Sequence, residues 1–172
     1  MKEIFGPIRN KVAESGLIVV EPESFLPQVQ YADFDIAEFL FKGLILREKD
    51  FRQALKDFDW ESIRNKVLLV YCTTDAIIPS WAFMLLSAKA YGIAQEVFAG
   101  SRKKYQAKYL TRAITELDVD QYKDQRVMIK GCGKNPIPDS AYVDLTAKLL
   151  SVVKSLFFGE PCSNVPIYKK KS

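Results

Sequence analysis

The run Val67-Leu68-Leu69-Val70-Tyr71 consists of five consecutive apolar residues, and the polar run Cys72-Thr73-Thr74-Asp75 follows it at once. A short continuous apolar run of this kind is typical of a β-strand that is buried on both faces. After the polar loop, Pro79 opens a helical segment that is apolar almost all round and should therefore be largely buried. Strand, loop and helix in this order form the unit from which parallel sheets are built.

The same alternation continues on both sides of this unit. Strands are predicted at 17–20, 96–99 and 127–129, and helices at 48–58, at 102–116 and from Pro138 onward. A short helix is expected to close at 10–15, and another over 36–44, where apolar residues recur at helical spacing and Gly43 makes a bend. The pattern predicts a single α/β domain over 1–172, with a largely parallel sheet and helices on both faces.

Two segments of the chain resemble each other. FDWESIRNKVLLVYC at 58–72 corresponds to LDVDQYKD and RVMIKGC at 117–132 when Gln125 is skipped, and DAIIPSWAF at 75–83 corresponds to NPIPDSAY at 135–142 with one residue fewer. A weaker third version runs from Leu156 through Cys162 to Pro166. The similarity suggests an internal duplication of a βα unit, although unrelated βα units also favour the same residue types.

This similarity divides the predicted domain into three parts. Residues 1–58 form a mainly helical N-terminal part with a short strand. Residues 59–166 contain the repeated βα units, and residues 167–172 are a basic tail.

Each of the three cysteines follows a predicted strand: Cys72, Cys132 and Cys162. Because parallel strands end at a shared edge, and ligands bind in the crevice outside that edge, the three thiols are expected to converge there. Gly131 and Gly133, on either side of Cys132, let the backbone turn tightly and approach a ligand. Cys72 and Cys132 also precede proline-led helix starts, where the helix dipole should lower the pKa of a thiol.

Three interpretations of the cysteines stay open. Three thiolates suit zinc or an iron–sulfur cluster, with Asp75, water or a substrate in a fourth position, although the chain has no CxxC pair. Free cysteine is also among the most buried residue types, so the thiols are alternatively packed structural residues of a non-catalytic interaction or scaffold protein. The third interpretation is a redox pair of thiols.

The polar residues near the cysteines have two interpretations as well. Asp75 and Asn135 stand before helices and either bind a ligand or serve as caps and turns. Thr73, Thr74 and Ser163 follow cysteines and either hold an anion at the sheet edge or are solvated. A Gly-rich phosphate-binding motif is missing from the sequence, so a nucleotide ligand has no support from a motif.

Composition limits the classes of function. The formal net charge is +4, and Lys169, Lys170 and Lys171 supply three of the positive charges, so the rest of the chain is close to neutral. That balance argues against a nucleic-acid partner. The sequence has no histidine, which excludes Ser-His-Asp and Cys-His catalysis. No apolar stretch approaches the roughly 20 residues that span a bilayer, so no membrane partner is expected.

The first residues, MKEIFGPIRN, lack the apolar segment of a secretory signal. We therefore expect a cytoplasmic protein whose thiols are reduced. Binding of a protein partner, or of a second copy of the chain, stays an open alternative. The basic helix face between Arg102 and Arg112 and the aromatic segment Phe39–Phe41 are the candidate surfaces.

Four segments carry a family resemblance: FDIAEFLFKGLILREKDFR at 34–52, CTTDAIIPSWAFMLL at 72–86, IKGCGKNPIPDSAY at 129–142 and GEPCSNVPIYK at 159–169. They resemble a bacterial family catalogued as domain of unknown function 2480, found mainly in Bacteroidetes. The resemblance runs over nearly the whole chain and implies a cytoplasmic, single-domain bacterial protein. It implies no activity, so the hypotheses about the cysteines rest on the residues themselves.

Overall fold

A computed structural model describes residues 16–160 and 163–171. The chain divides into two compact units, unit 1 with Met1–Leu26 and Ala107–Ser172, and unit 2 with Pro27–Gln106. The short helix predicted to close at 10–15 lies outside the described residues, and so does Cys162.

The described elements follow the predicted alternation of strands and helices. The strands are β1 (Leu17–Val20), β2 (Tyr31–Asp35), β3 (Leu40–Phe41), β4 (Ile45–Leu46), β5 (Val67–Tyr71), β6 (Glu96–Ala99), β7 (Arg126–Lys130), β8 (Ser155–Glu160) and β9 (Ser163–Lys169). The α-helices are α1 (Glu48–Asp57), α2 (Ser80–Ala90), α3 (Arg102–Glu116) and α4 (Asp139–Leu150). Short 3₁₀ helices span Pro22–Phe25, Ile36–Phe39, Trp60–Ile63 and Asp120–Tyr122.

Seven of the nine described strands form two largely parallel sheets, and β3 and β4 form a small antiparallel pair. Unit 2 contains a three-stranded sheet in the order β2-β5-β6, with both pairs parallel. Unit 1 contains a four-stranded sheet in the order β1-β7-β8-β9, in which β9 alone runs antiparallel to its neighbour. The prediction of a largely parallel α/β protein is confirmed. The sequence did not predict that the parallel strands divide between two sheets, because an apolar run shows that a strand is buried but does not specify which strand lies beside it.

The central strand of unit 2 is buried on both faces, as its sequence predicts. Leu68 and Val70 of β5 face a core that includes Phe51 of α1 and Leu86 of α2. Val67 and Leu69 face the opposite side, where Tyr105 of α3 covers them.

The central strand of unit 1 has a similar core on one face. Val127 and Ile129 of β7 pack in a cluster with Leu145 of α4 and with Leu110 and Ile114 of α3. All five side chains are at most 2% exposed. This cluster shows helices packed on one face of the sheet. A helical cover on the other face remains a prediction.

The two units share one plan at a constant spacing of 59 residues. Asn65 has a positive φ of 58° and donates its N–H to Ile93 O at 3.0 Å. Asp124, 59 residues later, has a φ of 54° and donates to Val152 O at 2.8 Å, and Val152 lies 59 residues after Ile93. The same spacing relates β5 to β7, α2 to the first eleven residues of α4, and the pairing of β5 with β6 to that of β7 with β8. On the other side, β2 and β1 pair with the central strands in the same register, but they are not 59 residues apart.

This spacing corrects the alignment inferred from the sequence. Cys132 corresponds to Thr73, and Cys72 corresponds to Gly131. The alignment that skipped Gln125 in order to match the two cysteines is therefore wrong. The third version of the repeat is also wrong, because β8 is followed by the antiparallel strand β9 and not by a helix. The duplication of one βα plan is present in the fold, but it does not superpose the thiols.

The helix predicted over 36–44 does not form, and this prediction is wrong. The Asp35 carboxylate accepts the N–H of Ala37 at 2.9 Å and opens a single 3₁₀ turn instead. Lys42 and Gly43 both have positive φ, as in tight hairpin turns, and they connect β3 to β4. The apolar spacing that suggested a helix therefore arises from a turn followed by a small hairpin.

The helix that follows β5 is less buried than its composition predicts. Ala82, Leu86 and Ala90 of α2 are buried against unit 2's core, whereas Met84 is 70% exposed. The core of unit 2 covers one side of this helix and leaves the opposite side to solvent.

The shared plan makes a prediction about stability. Leu86→Ala and Leu145→Ala delete side chains at corresponding positions, both fully buried, so each should lower the free energy of unfolding by about 2–5 kcal/mol. Urea denaturation measures both values. Met84→Ala, on the exposed side of α2, is the control and should change the value by no more than about 0.5 kcal/mol. A Leu145→Ala effect within the control's range would contradict the equivalent role of the two leucines.

Candidate functional site

A pocket of about 410 Å³ opens at the carboxyl edge of the unit 1 sheet. Its walls come from the segments that follow β1 and β7, from the end of β8 and from the first turn of α4. The volume lies in the range of small-molecule sites, about 300–1,000 Å³. The position is also the one at which parallel α/β sheets bind their ligands.

The polar side of the pocket carries both signs of charge. Lys130, the last residue of β7, places its Nζ 3.1 Å from Glu21 Oε1. The hydrogen bond to Glu21 raises the pKa of Lys130, and the charges of Glu21, Glu160 and Glu23 raise it further. Cys132 lines the same side and its side chain is exposed.

Glu23 holds the loop that carries Cys132. Its carboxylate accepts the backbone N–H groups of Lys134 and Asn135, each at 3.0 Å, and the Asn135 side-chain N–H at 2.5 Å. The bond from the Asn135 side chain lowers the pKa of Glu23; burial opposes this effect, and the two backbone bonds reinforce it. Asn135 therefore serves as a hydrogen-bond donor to the protein itself.

Gly131 and Gly133 make room for side chains of the protein. A Cβ on Gly131 would lie 2.6 Å from Phe158 Cζ, and a Cβ on Gly133 would overlap the Glu23 carboxylate. In unit 2, Cys72 stands at the place of Gly131, and the small Ala99 stands at the place of Phe158. A side chain at position 131 and an aromatic ring at position 158 would occupy the same space. The glycine at 131 therefore leaves room for the Phe158 ring, which lines the pocket.

The apolar side of the pocket is built around two aromatic rings. The rings of Tyr142 and Phe158 meet edge to face with centroids 5.4 Å apart. Burial raises the pKa of the Tyr142 phenol, and the nearby Cys132 and Asp139 raise it further, so the phenol keeps its proton at neutral pH and can donate a hydrogen bond. The remaining apolar lining residues are Pro22, Pro136 and Ile137.

The corresponding loop of unit 2 is held in a similar way. Asp35, at the end of β2, accepts the Thr73 N–H at 3.1 Å and the Thr73 hydroxyl at 2.6 Å. Burial tends to raise the pKa of Asp35, but the hydrogen bonds from Thr73 and Ala37 leave it lowered. In both units a carboxylate from the first parallel strand, or just beyond it, fixes the loop after the central strand.

The remaining predicted site residues of unit 2 lie around Cys72. This cysteine is half-buried against the core, with its Sγ 3.2 Å from Thr74 Oγ1. Asp75 is exposed in the same loop. Ser163 belongs to unit 1, where it begins β9 opposite Glu160.

The predicted convergence of three thiols at the edge of one sheet is wrong for the two cysteines that the structure describes. Cys72 follows β5 of the three-stranded sheet, whereas Cys132 follows β7 of the four-stranded sheet. Within 16–160 and 163–171, no group of three or more cysteine, aspartate or glutamate residues has the arrangement of a metal site. The convergence rule holds for neighbouring strands, and β5 and β7 are not neighbours.

Several pocket residues were missed in the sequence. Glu21 and Glu23 follow β1, and their loop reaches the pocket because β1 pairs with β7 across more than a hundred residues of chain. Lys130 and Tyr142 flank the noted loop, and Phe158 comes from β8. The carboxyl-edge rule could have included the loop after β1, but no local signal identified β1 as the neighbour of β7.

The fold and the pocket define an α/β protein with parallel sheets and a ligand-sized cavity at a carboxyl edge. The chain belongs to the family described as protein of unknown function (DUF2480), which it matches over residues 6–170. The match confirms the family resemblance of the four sequence segments. Neither the curated proteins nor the solved structures give a match to this chain.

The hydrogen bonds of Glu23 predict a pH response of the loop. The native pKa of Glu23 lies below the ordinary 4.5, so the contribution of its ionised form is complete above pH 4.5 and is lost as the pH falls through the lowered native pKa. The amide proton shifts of Lys134 and Asn135 in NMR spectra should therefore move together in acid, with a midpoint below 4.5.

Glu23→Gln should abolish this transition, because the amide side chain does not titrate. Asp35→Asn is the matched control, since it changes the carboxylate that holds the other loop and should leave the Lys134 and Asn135 shifts unaltered. A transition that persists in Glu23→Gln would assign the response to another group.

Proposed function

We propose that this protein binds a small organic molecule in the unit 1 pocket. The observation that carries the proposal is the position of the cavity, about 410 Å³, at the carboxyl ends of parallel strands and at the start of α4. Cys132 and Lys130 lie on its polar side, and the rings of Tyr142 and Phe158 form its apolar wall.

The lining favours a ligand with an aromatic portion and a positive charge. Edge-to-face and stacked contacts with Tyr142 and Phe158 suit a ring of similar size. Two carboxylates, Glu21 and Glu23, and one ammonium group, Lys130, line the cavity, so its formal charge is negative. An aromatic amine therefore fits the chemistry better than an aromatic acid.

Cys132 supplies the thiol that such a ligand would meet. Its exposed thiol lies in the loop between β7 and α4 and lines the cavity. Whether the thiol binds the ligand or reacts with it, the loop must keep its position, and the Glu23 hydrogen bonds provide that constraint.

Two fluorinated probes test the pocket. In ¹⁹F NMR titrations, 4-fluorobenzylamine should broaden and shift in the presence of the protein, and 4-fluorobenzoate should bind at least about tenfold more weakly because of the carboxylates. Tyr142→Ala removes one aromatic wall and should weaken amine binding at least about tenfold as well.

Phe83→Ala is the matched control for the second variant, since Phe83 occupies the corresponding position of α2 and is also half-buried. It should leave amine binding unchanged. Absence of binding by both probes, or equal loss of amine binding in the two variants, would contradict the proposal.

The metal hypothesis has an independent test. A zinc or iron–sulfur site would require Cys72, Cys132 and Cys162 together, and the separate sheets of the first two weigh against it. We expect elemental analysis of anaerobically purified protein to find less than one zinc or iron per chain, with the same value for Cys72→Ser and Cys132→Ser. Stoichiometric metal that both substitutions remove would restore the three-thiolate site.

A non-catalytic interaction protein is the second candidate, favoured by exposed apolar side chains. Of the two surfaces noted in the sequence, the aromatic segment is partly internal: Phe39 packs in the core, and Phe41 lies under the Arg47 guanidinium at 3.2 Å. In the basic helix face, Arg102 lies over the Tyr31 ring at 4.3 Å.

A cytoplasmic location remains a proposal from the sequence. None of the described helices is long and apolar enough to cross a bilayer. The family resemblance and the free thiols of Cys72 and Cys132 support the proposal. A nucleic-acid partner is not expected, for the reason of charge given above.

A further inference from the structure

An ion pair between Glu21 and Lys130 stands at the edge of the unit 1 pocket. β1 and β7 run parallel with Val20 opposite Ile129, and the two charged residues come next in their respective segments. Lys130 Nζ lies 3.1 Å from Glu21 Oε1, and both residues line the cavity. The register of the sheet therefore places two opposite charges side by side at the wall of the pocket.

This ion pair keeps hydrogen-bonding capacity for a ligand. The side chains of Lys130 and Glu21 are 35% and 55% exposed. Their mutual bond uses one of the three ammonium N–H donors and one of the two carboxylate oxygens. Among the residues that the structure describes, neither side chain makes a second hydrogen bond. Exposed ion pairs contribute little to stability, so each partner can be replaced without unfolding the protein.

The second carboxylate of the cavity is already engaged by the protein. Glu23 accepts two backbone N–H groups, from Lys134 and Asn135, and a third bond from the Asn135 side chain. These donors offset its charge and occupy its oxygens. The charged groups left for a ligand are therefore one carboxylate and one ammonium, Glu21 and Lys130.

We propose that the ligand of the unit 1 pocket is an aromatic α-amino acid, with its ammonium on Glu21 and its carboxylate on Lys130, which rests on the ligand binding proposed above. A ligand with a single charge is attracted by one member of the pair and repelled by the other. In an α-amino acid the nitrogen and the carboxyl carbon are about 2.5 Å apart, because two bonds of about 1.5 Å join them. The charges of the protein pair are similarly close, at 3.1 Å, so both ends of the ligand meet an opposite charge at once.

The aromatic wall lies next to the charged pair. Lys130 of β7 pairs with Gly159 of β8, and Phe158 directly precedes that glycine. Because neighbouring strands are about 4.8 Å apart, the ring of Phe158 begins about one strand spacing from Lys130. A ring joined to the α-carbon by one methylene group reaches a wall at this distance, where Phe158 and Tyr142 offer stacked and edge-to-face contacts.

Three fluorinated compounds with the same ring test the proposal in ¹⁹F NMR titrations. 4-Fluoro-L-phenylalanine carries both charges, 4-fluorophenethylamine lacks the carboxylate, and 3-(4-fluorophenyl)propanoate lacks the ammonium. The amino acid should bind at least about tenfold more tightly than either of the others. Binding of the amine as tight as that of the amino acid would overturn this inference and leave the proposed binding site standing. Absence of binding by all three compounds would overturn both.

Two variants test the role of each charge. Lys130→Met should lower the affinity for the amino acid to that for the amine or below, because the carboxylate loses its partner. Retained amine binding shows that this variant is folded. Glu21→Gln should weaken binding of the amino acid and the amine, but not of the propanoate.

Lys154→Met is the matched control for the lysine variant. Lys154 is exposed and directly precedes β8, so it lies at the amino edge of the same sheet, away from the cavity. Its replacement removes the same charge and should leave the order of the three affinities unchanged. A preference for the amino acid over the amine that persists in Lys130→Met, or that Lys154→Met removes to the same extent, would overturn the proposal.

Discussion

The structure depends on two central strands whose side chains are removed from water. Val67 to Val70 of β5 and Val127 to Ile129 of β7 are all at most 2% exposed. A strand in this environment needs a hydrogen-bonding neighbour on each side, because unpaired backbone groups in an apolar interior are costly. Parallel neighbours in turn require crossovers, and these supply the helices that cover the faces.

Burial of the central strands also determines where polar chemistry occurs. The chain leaves β5 and β7 at their carboxyl ends, and in each unit a carboxylate from a neighbouring segment holds the departing loop, Asp35 in unit 2 and Glu23 in unit 1. The two carboxylates do not come from equivalent positions: Asp35 ends β2, and Glu23 lies in the 3₁₀ turn after β1. The two units therefore fix the loop after their central strand with carboxylates from different local positions.

The duplicated plan shows how small differences produce a site in one unit. The exchange of Cys72 and Ala99 for Gly131 and Phe158 moves bulk from the loop to the strand and places an aromatic ring at the edge of the unit 1 sheet. The pocket thus arises from local substitutions on a scaffold that the two units share.

The sequence by itself determined the class of fold, the bounds of β1, β5, β6 and α3, and the loop at Cys132, because apolar periodicity and the residues that start helices act locally. It placed the helix of 36–44 wrongly, since the Asp35 carboxylate and the turn at Gly43 override the spacing of the apolar residues. Tertiary structure decided which strands are neighbours. That choice depends on contacts between distant segments, such as β1 with β7, and it separated Cys72 from Cys132 while it brought Glu23 to the loop of Asn135.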